Sequence, residues 1–333
     1  MIIEAKAPTR IDLAGGTVDL WPLYLLHQEA QTINVAIDLL ATCRVEERLD
    51  EQIILVSEDI NLSETYESLG EIRLDTPLQL LARMVDYFKP YTGVKVTTRC
   101  AAPPGSGLGG SSALAVALAG ALDHLTGNRF SDSQLLKIAQ NIETQVIEVP
   151  SGVQDYYPAM YGGTNSLHLE VIGVVREALS IDLAKLQDHV VLCYTGKPHF
   201  SGTNNWEIFK AHIDNRDGVR ERFASLCEVT NRMRIAVLEQ NLPGIATCLT
   251  EEWELRKGFS DHVTTDTIEH LISVAKEHGA LAAKACGAGG GGCVVFLVET
   301  GRKTDVSQAL TKAGGEVLEV NLIDRGLRVE QVG

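Results

Sequence analysis

The chain has 333 residues, more than one ordinary hydrophobic core needs and enough for two. Hydrophobic residues make up 45% and charged residues 22%, a globular balance that excludes long disordered tracts. A net charge of -15 excludes a nucleic-acid or anionic-membrane surface, so an anionic ligand has to be held by local arrangement rather than by the global field.

The seven cysteines (43, 100, 193, 227, 248, 286 and 293) form no CxxC pair and are odd in number. Reduced thiols are expected, not a disulfide framework or a zinc site. The opening Met1-Ile-Ile-Glu-Ala-Lys6 has no signal-peptide pattern, and no apolar run is long enough to span a bilayer. The expectation is a soluble, cytoplasmic protein.

Taken in order, residues 2–5 read as a short strand. Pro8 and Gly15-Gly16 then punctuate the segment Ala7 to Leu20, which places Arg10, Asp12, Thr17 and Asp19 on or beside turns. Residues 32–48 and 52–57 are β-branched and alternating, and predict strands of a mixed sheet. Residues 75–89 predict a helix whose apolar face carries Leu78, Leu80, Leu81, Met84, Val85 and Phe88.

A strand over 94–100 leads into Ala101-Ala-Pro-Pro-Gly-Ser-Gly-Leu-Gly-Gly-Ser-Ser-Ala113, and a buried apolar helix over 112–125 leads out. Gly105, Gly107, Gly109 and Gly110 remove side chains that would keep a bulky anion from the backbone, and they permit positive φ. Successive N–H groups, continued by those of the helix's first turn, make a concave nest that holds a phosphate without Lys or Arg. Gly105-x-Gly107-x-x-Gly110 also satisfies the dinucleotide fingerprint. The carboxylate wanted about 20 residues on is Asp123, however, which is still inside the helix. A Walker loop fails because no Gly-Lys-Ser/Thr follows. A turn that merely lets helix and strand pack closely is the remaining alternative, against which Ser111 and Ser112 add hydroxyls suited to a metal or a phosphate oxygen.

Ser131 to Gln134 reads as the N-cap of a helix that reaches residue 146 and carries Glu143. In Val149-Pro-Ser-Gly-Val-Gln-Asp155-Tyr-Tyr-Pro-Ala-Met-Tyr-Gly-Gly163, Asp155 is flanked by apolar and aromatic residues. A partly buried carboxylate there is a candidate acid/base group, with a helix-capping Asp as the ordinary alternative. After a strand over 165–169 the pattern weakens between 170 and 187, which sets expected domains of 1–185 and 186–333. The second opens on a strand over 189–194 and is helical over 204–259, with a break at 215–218. A helix over 265–278 stops at Gly279. Lys284-Ala-Cys-Gly-Ala-Gly-Gly-Gly-Gly292 follows, where consecutive glycines imply close approach of backbone to a ligand or to the first glycine loop. A helix over 305–313 and a strand over 316–322 complete a split βαβ ending.

Three segments together resemble the motifs of the GHMP kinase superfamily (galactokinase, homoserine kinase, mevalonate kinase, phosphomevalonate kinase). They are Ala7-Pro-Thr-Arg-Ile-Asp-Leu-Ala-Gly-Gly-Thr-Val-Asp19, Pro104-Gly-Ser-Gly-Leu-Gly-Gly-Ser-Ser112 and Gly287-Ala-Gly-Gly-Gly-Gly292. Their order from residue 7 to 292 covers nearly the whole chain. Residues 152–163 and Trp253-Glu-Leu-Arg-Lys257 look like the heptose 7-phosphate kinase group of sugar kinases, whereas residues 197–206 depart from it.

The resemblance implies an α+β, two-domain fold: an N-terminal domain like domain 2 of ribosomal protein S5 and a C-terminal ferredoxin-like, split βαβ domain. It implies an ATP- and Mg²⁺-dependent phosphotransferase, monomeric or homodimeric, acting on a sugar or sugar phosphate. By match to the motifs, Pro104, Gly105, Ser106, Gly107, Leu108, Gly109, Gly110, Ser111 and Ser112 wrap the ATP phosphates. Ser111, with Ser112 open as the alternative, and Glu143 hold Mg²⁺, and Asp155 and Arg10 are catalytic. Asp19, Thr17, Gly15, Gly16, Gly289 and Gly290 face the acceptor. Lys6, Arg10, Lys197, His199, Arg256 and Lys257 are candidate donors to a substrate phosphate. The leading acceptor is the anomeric hydroxyl of D-glycero-D-manno-heptose 7-phosphate. A neutral hexose or fucose 1-kinase and a mevalonate-type kinase are enzyme alternatives. A catalytically inactive nucleotide-binding homologue is the non-enzyme one.

Overall fold

The computed structural model describes residues 1–198, 201–216 and 218–333. Two long strands, β1 (Ile2–Ala14) and β2 (Gln31–Glu47), pair antiparallel and organise a first sheet. The register shifts between Pro8 and Thr9, a bulge that absorbs the missing N–H of the proline. The strand therefore continues past the expected stop. Arg10 and Asp12 lie on β1 itself, and Thr17 and Asp19 lie beyond its end.

β3 (Ile53–Ser57) and β4 (Leu62–Tyr66) form a hairpin, and α1 (Gln79–Phe88) crosses over to β5 (Val94–Cys100). α2 (Gly110–Leu125), α3 (Asp132–Ile147) and α4 (Tyr156–Tyr161) follow, then β6 (Thr164–Glu170), β7 (Gly173–Leu179) and a short α5 (Leu183–Gln187). β2 changes neighbour along its length: residues 41–47 pair with β5, and residues 31–35 pair with β6. Between those partners the sheet opens. The Gly-rich loop leaves there, tied by Ala101 N–H to Leu40 O at 2.9 Å, and crosses β1, where Arg10 N–H meets Leu108 O at 3.0 Å.

The second half runs β8 (Val190–Tyr194), α6 (Ser201–Ile213), α7 (Val219–Leu238), α8 (Leu242–Lys257), α9 (Asp266–Glu277), β9 (Ala280–Ala285), β10 (Cys293–Val298), α10 (Lys303–Lys312) and β11 (Glu316–Leu318). Its four strands are antiparallel in the order β11-β8-β10-β9, the split βαβ arrangement with α9 and α10 as its crossovers. β12 (Arg328–Gln331) then returns to pair with residues 3–6 of β1.

Layering follows from which faces are apolar. α1, α2 and α3 cover one face of the first sheet, around Phe88, Leu118 and Ile138. The other face shares one core with α7, α8 and the second sheet, where Ile11, Ile33, Met233, Leu249 and Val295 meet. α9 and α10 close the far side of the second sheet through Ile268, Leu271 and Leu310. α2 is apolar around most of its circumference because it is packed on nearly every side, and Gly120 leaves room for Leu327, whose Cδ2 would lie 2.7 Å from an added Cβ. The fold thus fixes the glycine loop and the start of α2 over the seam between two packed units.

Candidate active site

Gly105, Gly107 and Gly109 all have positive φ (+66°, +73° and +75°), so the loop is left-handed at alternate residues. Gly109 caps α2, and the N–H groups of Gly110, Ser111 and Ser112 in the first turn have no carbonyl partner four residues back. These residues line a cavity of about 480 Å³ with Pro104, Gly105, Ser106, Gly107 and Gly109. Leu108 does not line it; its side chain is buried beneath the loop.

Arg10 and Asp155 meet on the cavity wall. The Arg10 guanidinium donates from Nε to Asp155 Oδ1 at 2.8 Å, with Nη2 at 2.6 Å from the same oxygen, and Nη1 donates to Gly107 O. Burial alone would lower the ionisation point of Arg10, but the charges of Asp155, Asp12 and Cys286 outweigh it and the net shift is upward. Asp155 stands at the N-terminus of α4, yet its side chain caps no N–H there, so the ordinary capping role does not account for it. Gly109 makes room for it: an added Cβ would lie 3.0 Å from both Cβ and Cγ of Asp155.

Glu143, on α3, accepts the Tyr156 hydroxyl proton at 2.7 Å. Burial raises its carboxyl, and hydrogen bonds from Ser111, Tyr156 and Ser112 oppose that rise. Ser111, Ser112 and Glu143 all line the cavity. Among the described residues no group of three or more His, Cys, Asp or Glu is spaced to hold a metal.

Asp19 also lines the cavity. Burial pushes its carboxyl up to about 6, against the pull of backbone N–H donors from Gln154 (2.9 Å) and Val153. Thr17, also on the wall, has φ +79°, a conformation that a β-branched residue rarely adopts.

The second glycine segment packs on the first. An added Cβ at Gly287 would lie 3.0 Å from Gly107 Cα, one at Gly292 would lie 2.6 Å from Ser106 O, and Cys293 N–H donates to Ser106 O at 2.7 Å. Gly289 lines the cavity, whereas Gly290 commits its N–H to Val263 O. Gly15 and Gly16 sit behind the wall, against Gln31 O and the Asp12 carboxylate respectively.

Of the six cationic candidates, Arg10 alone lines the cavity among the described residues. Lys6 pairs with Glu4 and Lys257 with Glu254; Arg256 is buried and Lys197 exposed, and His199 lies outside the described residues. Sequence reasoning missed Tyr156, Cys286 and the wall formed by Ser57 at the end of β3 with Asp59 and Ile60 beyond it. Tyr156 adjoins Asp155 and could have been found; nothing in residues 57–60 marks them.

A glycine loop opening a buried helix, beside an Arg-paired carboxylate and a Ser/Glu group, is an arrangement that phosphoryl transfer can use. The family models described as "GHMP kinases N terminal domain" and "GHMP kinases C terminal" match residues 77–163 and 233–316. The chain is similar to D-glycero-alpha-D-manno-heptose 7-phosphate kinase of Campylobacter jejuni subsp. jejuni serotype O:2, at 28% identity over 98% of each chain. It is similar to mevalonate kinase of Pyrococcus abyssi, at 25% identity over 99% of this chain and 98% of that one. The crystal structure of a D-glycero-D-manno-heptose 1-phosphate kinase from Bacteroides thetaiotaomicron superposes with a TM-score of 0.81 at 26% identity, covering 99% of both chains. These findings define a phosphotransferase with an alcohol group as acceptor. The chain belongs to the GHMP kinase family, whose kinases use ATP. Among the described residues no helix is long and apolar enough to cross a membrane.

Proposed function

We propose that this kinase phosphorylates a sugar, and that its acceptor is the anomeric hydroxyl of D-glycero-D-manno-heptose 7-phosphate. The observation that carries the reading is the Arg10–Asp155 pair held against Gly107 and Gly109, which sets a carboxylate beside a glycine nest at a helix N-terminus. The heptose acceptor is supported by the heptose kinase relative, which matches 98% of this chain. In this reading residues 1–185 carry the ATP site and residues 186–333 supply the second wall.

The N–H groups of residues 105–112 hold the ATP phosphates, and the α2 dipole favours their charge. Asp155 takes the proton of the acceptor hydroxyl as its oxygen bonds to the γ-phosphorus, while the bond from that phosphorus to the β-phosphate bridging oxygen breaks and ADP departs. Arg10 orients Asp155 and is placed to meet charge on the transferred group. Thr17 and Asp19 bind sugar hydroxyls. Ser111 or Ser112 with Glu143 fits Mg²⁺: these are hard oxygen donors lining one cavity, and phosphate oxygens would complete the shell. The ion when bound neutralises phosphate charge.

One observation favours a second acceptor, a neutral hexose or fucose. The only Lys or Arg that lines the cavity among the described residues is Arg10, already committed to Asp155 and Gly107 O. A screen of C6 and C7 sugars for ADP release, with and without terminal phosphates, separates the two. Heptose 7-phosphate is expected to give the highest kcat/KM, and preference for an unphosphorylated sugar would select the second acceptor. Asp155→Asn is expected to lose about 10²- to 10⁴-fold in turnover. Near-normal turnover by a folded Asp155→Asn protein would remove the proton-accepting role.

A further inference from the structure

Four ionisable side chains lie sealed at the seam between the two halves, outside the cavity. Asp12 comes from β1, Glu252 and Arg256 from successive turns of α8, and Lys284 from β9; their exposures are 0, 0, 1 and 0%. Lys284 Nζ stands 2.8 Å from Glu252 Oε1 and 3.2 Å from Asp12 Oδ2. Arg256 Nη1 stands 3.4 Å from Asp12 Oδ2 and 3.8 Å from Glu252 Oε1. The formal charges cancel, but Asp12 Oδ1, Glu252 Oε2 and Arg256 Nε have no protein partner. Sealing four charges costs several kcal/mol per ion before pairing, and apolar replacements of such groups are often as stable. Fold stability is therefore a poor reason for this cluster.

Its contacts point to another reason. The second arm of Arg256, Nη2, donates to Gly287 O at 2.6 Å. Gly287 is packed on Gly107, and Gly107 O accepts from Arg10, the partner of Asp155. On the other side Gly16 rests on the cluster: an added Cβ would lie 2.3 Å from Asp12 Oδ2 and 2.6 Å from Arg256 Nη1. Gly16 begins the turn that carries Thr17 and Asp19. One guanidinium thus touches the support of the acceptor turn with one arm and the backing of the glycine loop with the other.

We propose that Arg256 is a positioning residue for phosphoryl transfer, fixing the Thr17–Asp19 turn and the Gly107–Gly287 contact in one relation through Asp12 and the Gly287 carbonyl. The inference rests on the assignment of Arg10 and Asp155 as the reacting pair. Lysine keeps the charge and reaches Asp12, but a single ammonium lacks the planar fork that spans both partners. Misplacement by about 1 Å is enough to cost roughly 10²-fold in rate.

The test is Arg256→Lys, assayed with Mg-ATP and whichever C6 or C7 sugar gives the highest ADP release in the screen, with turnover normalised to the folded fraction from near-UV circular dichroism. The expected result is kcat lowered at least tenfold with KM for ATP within threefold of wild type. A folded Arg256→Lys protein with wild-type kcat, or a loss that merely tracks the folded fraction, overturns the inference. Should Arg256→Lys not fold, Asp12→Asn severs the other arm at constant shape and is read by the same split; if neither folds, the cluster is a folding element and the positioning role is withdrawn. Asp155→Asn runs in parallel. Normal turnover there sinks the assignment of the reacting pair, whereas an inactive Asp155→Asn beside a normal Arg256→Lys sinks the positioning role alone.

Discussion

In the segment 105–110 Gly105, Gly107, Gly109 and Gly110 all line the cavity; the space beside Gly109 is taken by the Asp155 side chain and that beside Gly107 by Cys286 O. In the segment 287–292 Gly287, Gly289 and Gly291 also reach the cavity, but the space beside Gly287, Gly289 and Gly292 is taken by other backbone: Gly107, Val263 O, and the carbonyls of Ser106 and Gly105. Composition makes the two alike, while geometry gives them different work. The first is bare at Gly109 so that a carboxylate can approach the chain, and at Gly107 so that the second segment can. The second is bare so that the first has a rigid backing supplied from the other half of the molecule. A glycine run near a catalytic loop is therefore not by itself evidence of a ligand contact.

The largest effect is expected where backbone meets backbone. At Gly292 an added Cβ would lie 2.6 Å from Ser106 O and 2.8 Å from its carbonyl carbon, at φ +72°. Neither neighbour is the free end of a side chain, so both segments have to move. Gly292→Ala is expected to lower stability by more than about 2 kcal/mol in chemical denaturation, with activity lost alongside. Gly163→Ala is the reference: φ is +66° and nothing lies within 4 Å of the added atom, which leaves about 1 kcal/mol of left-handed strain. Equal losses at the two positions would break the contrast between the segments.

Gly109→Ala probes the cavity-facing side. Its Cβ would press on Asp155 at 3.0 Å, and a side chain yields more readily than a carbonyl. Turnover is expected to fall about 10²-fold with a smaller loss of stability than Gly292→Ala. Steady-state kinetics beside a melting curve decides it; the reverse ranking would merge the two segments into one packing unit.

How legible this was depended on whether the signal was local. β5 was read at its observed bounds, and the N-cap of α3 was found at Ser131, because alternation and caps are written within a few residues. β7 and β12 were not foreseen. β7 carries exposed and half-buried residues with little alternation, and β12 is defined by a partner, β1, more than 300 residues away. The three motifs named the residues around the cavity, but not which glycines face it. Gly15, Gly16 and Gly290 were assigned to the acceptor and stand behind the wall, since facing is settled by tertiary approach. The sealed cluster was missed for the same reason. Lys284 in the apolar run Ala280–Ala285 was its one local sign, and Arg256 was read as a surface or substrate cation.

The smallest effect separates the two sides by pH. Burial lifts the Asp19 carboxyl to about 6, above the ordinary 3.8, so the folded state holds this proton more tightly than the unfolded chain. The sign follows: Asp19 makes the fold lose stability as pH rises from about 3.8 to about 6, and contributes a constant amount above that. For catalysis the proposed role of Asp19 reverses the direction, because an anion would accept hydrogen bonds from sugar hydroxyls better than the neutral acid does. kcat/KM for the sugar is therefore expected to be flat above pH 7 and to fall about tenfold by one unit below the Asp19 midpoint, mostly through KM. Asp19→Asn should be weaker at neutral pH and should lack that acid limb. Gly292→Ala, assayed where it is folded, should keep the limb, since it disturbs the backing and leaves the Asp19 environment of Gln154 and Val153 donors in place. A limb that survives in Asp19→Asn would assign the titration to another group and detach Asp19 from the acceptor.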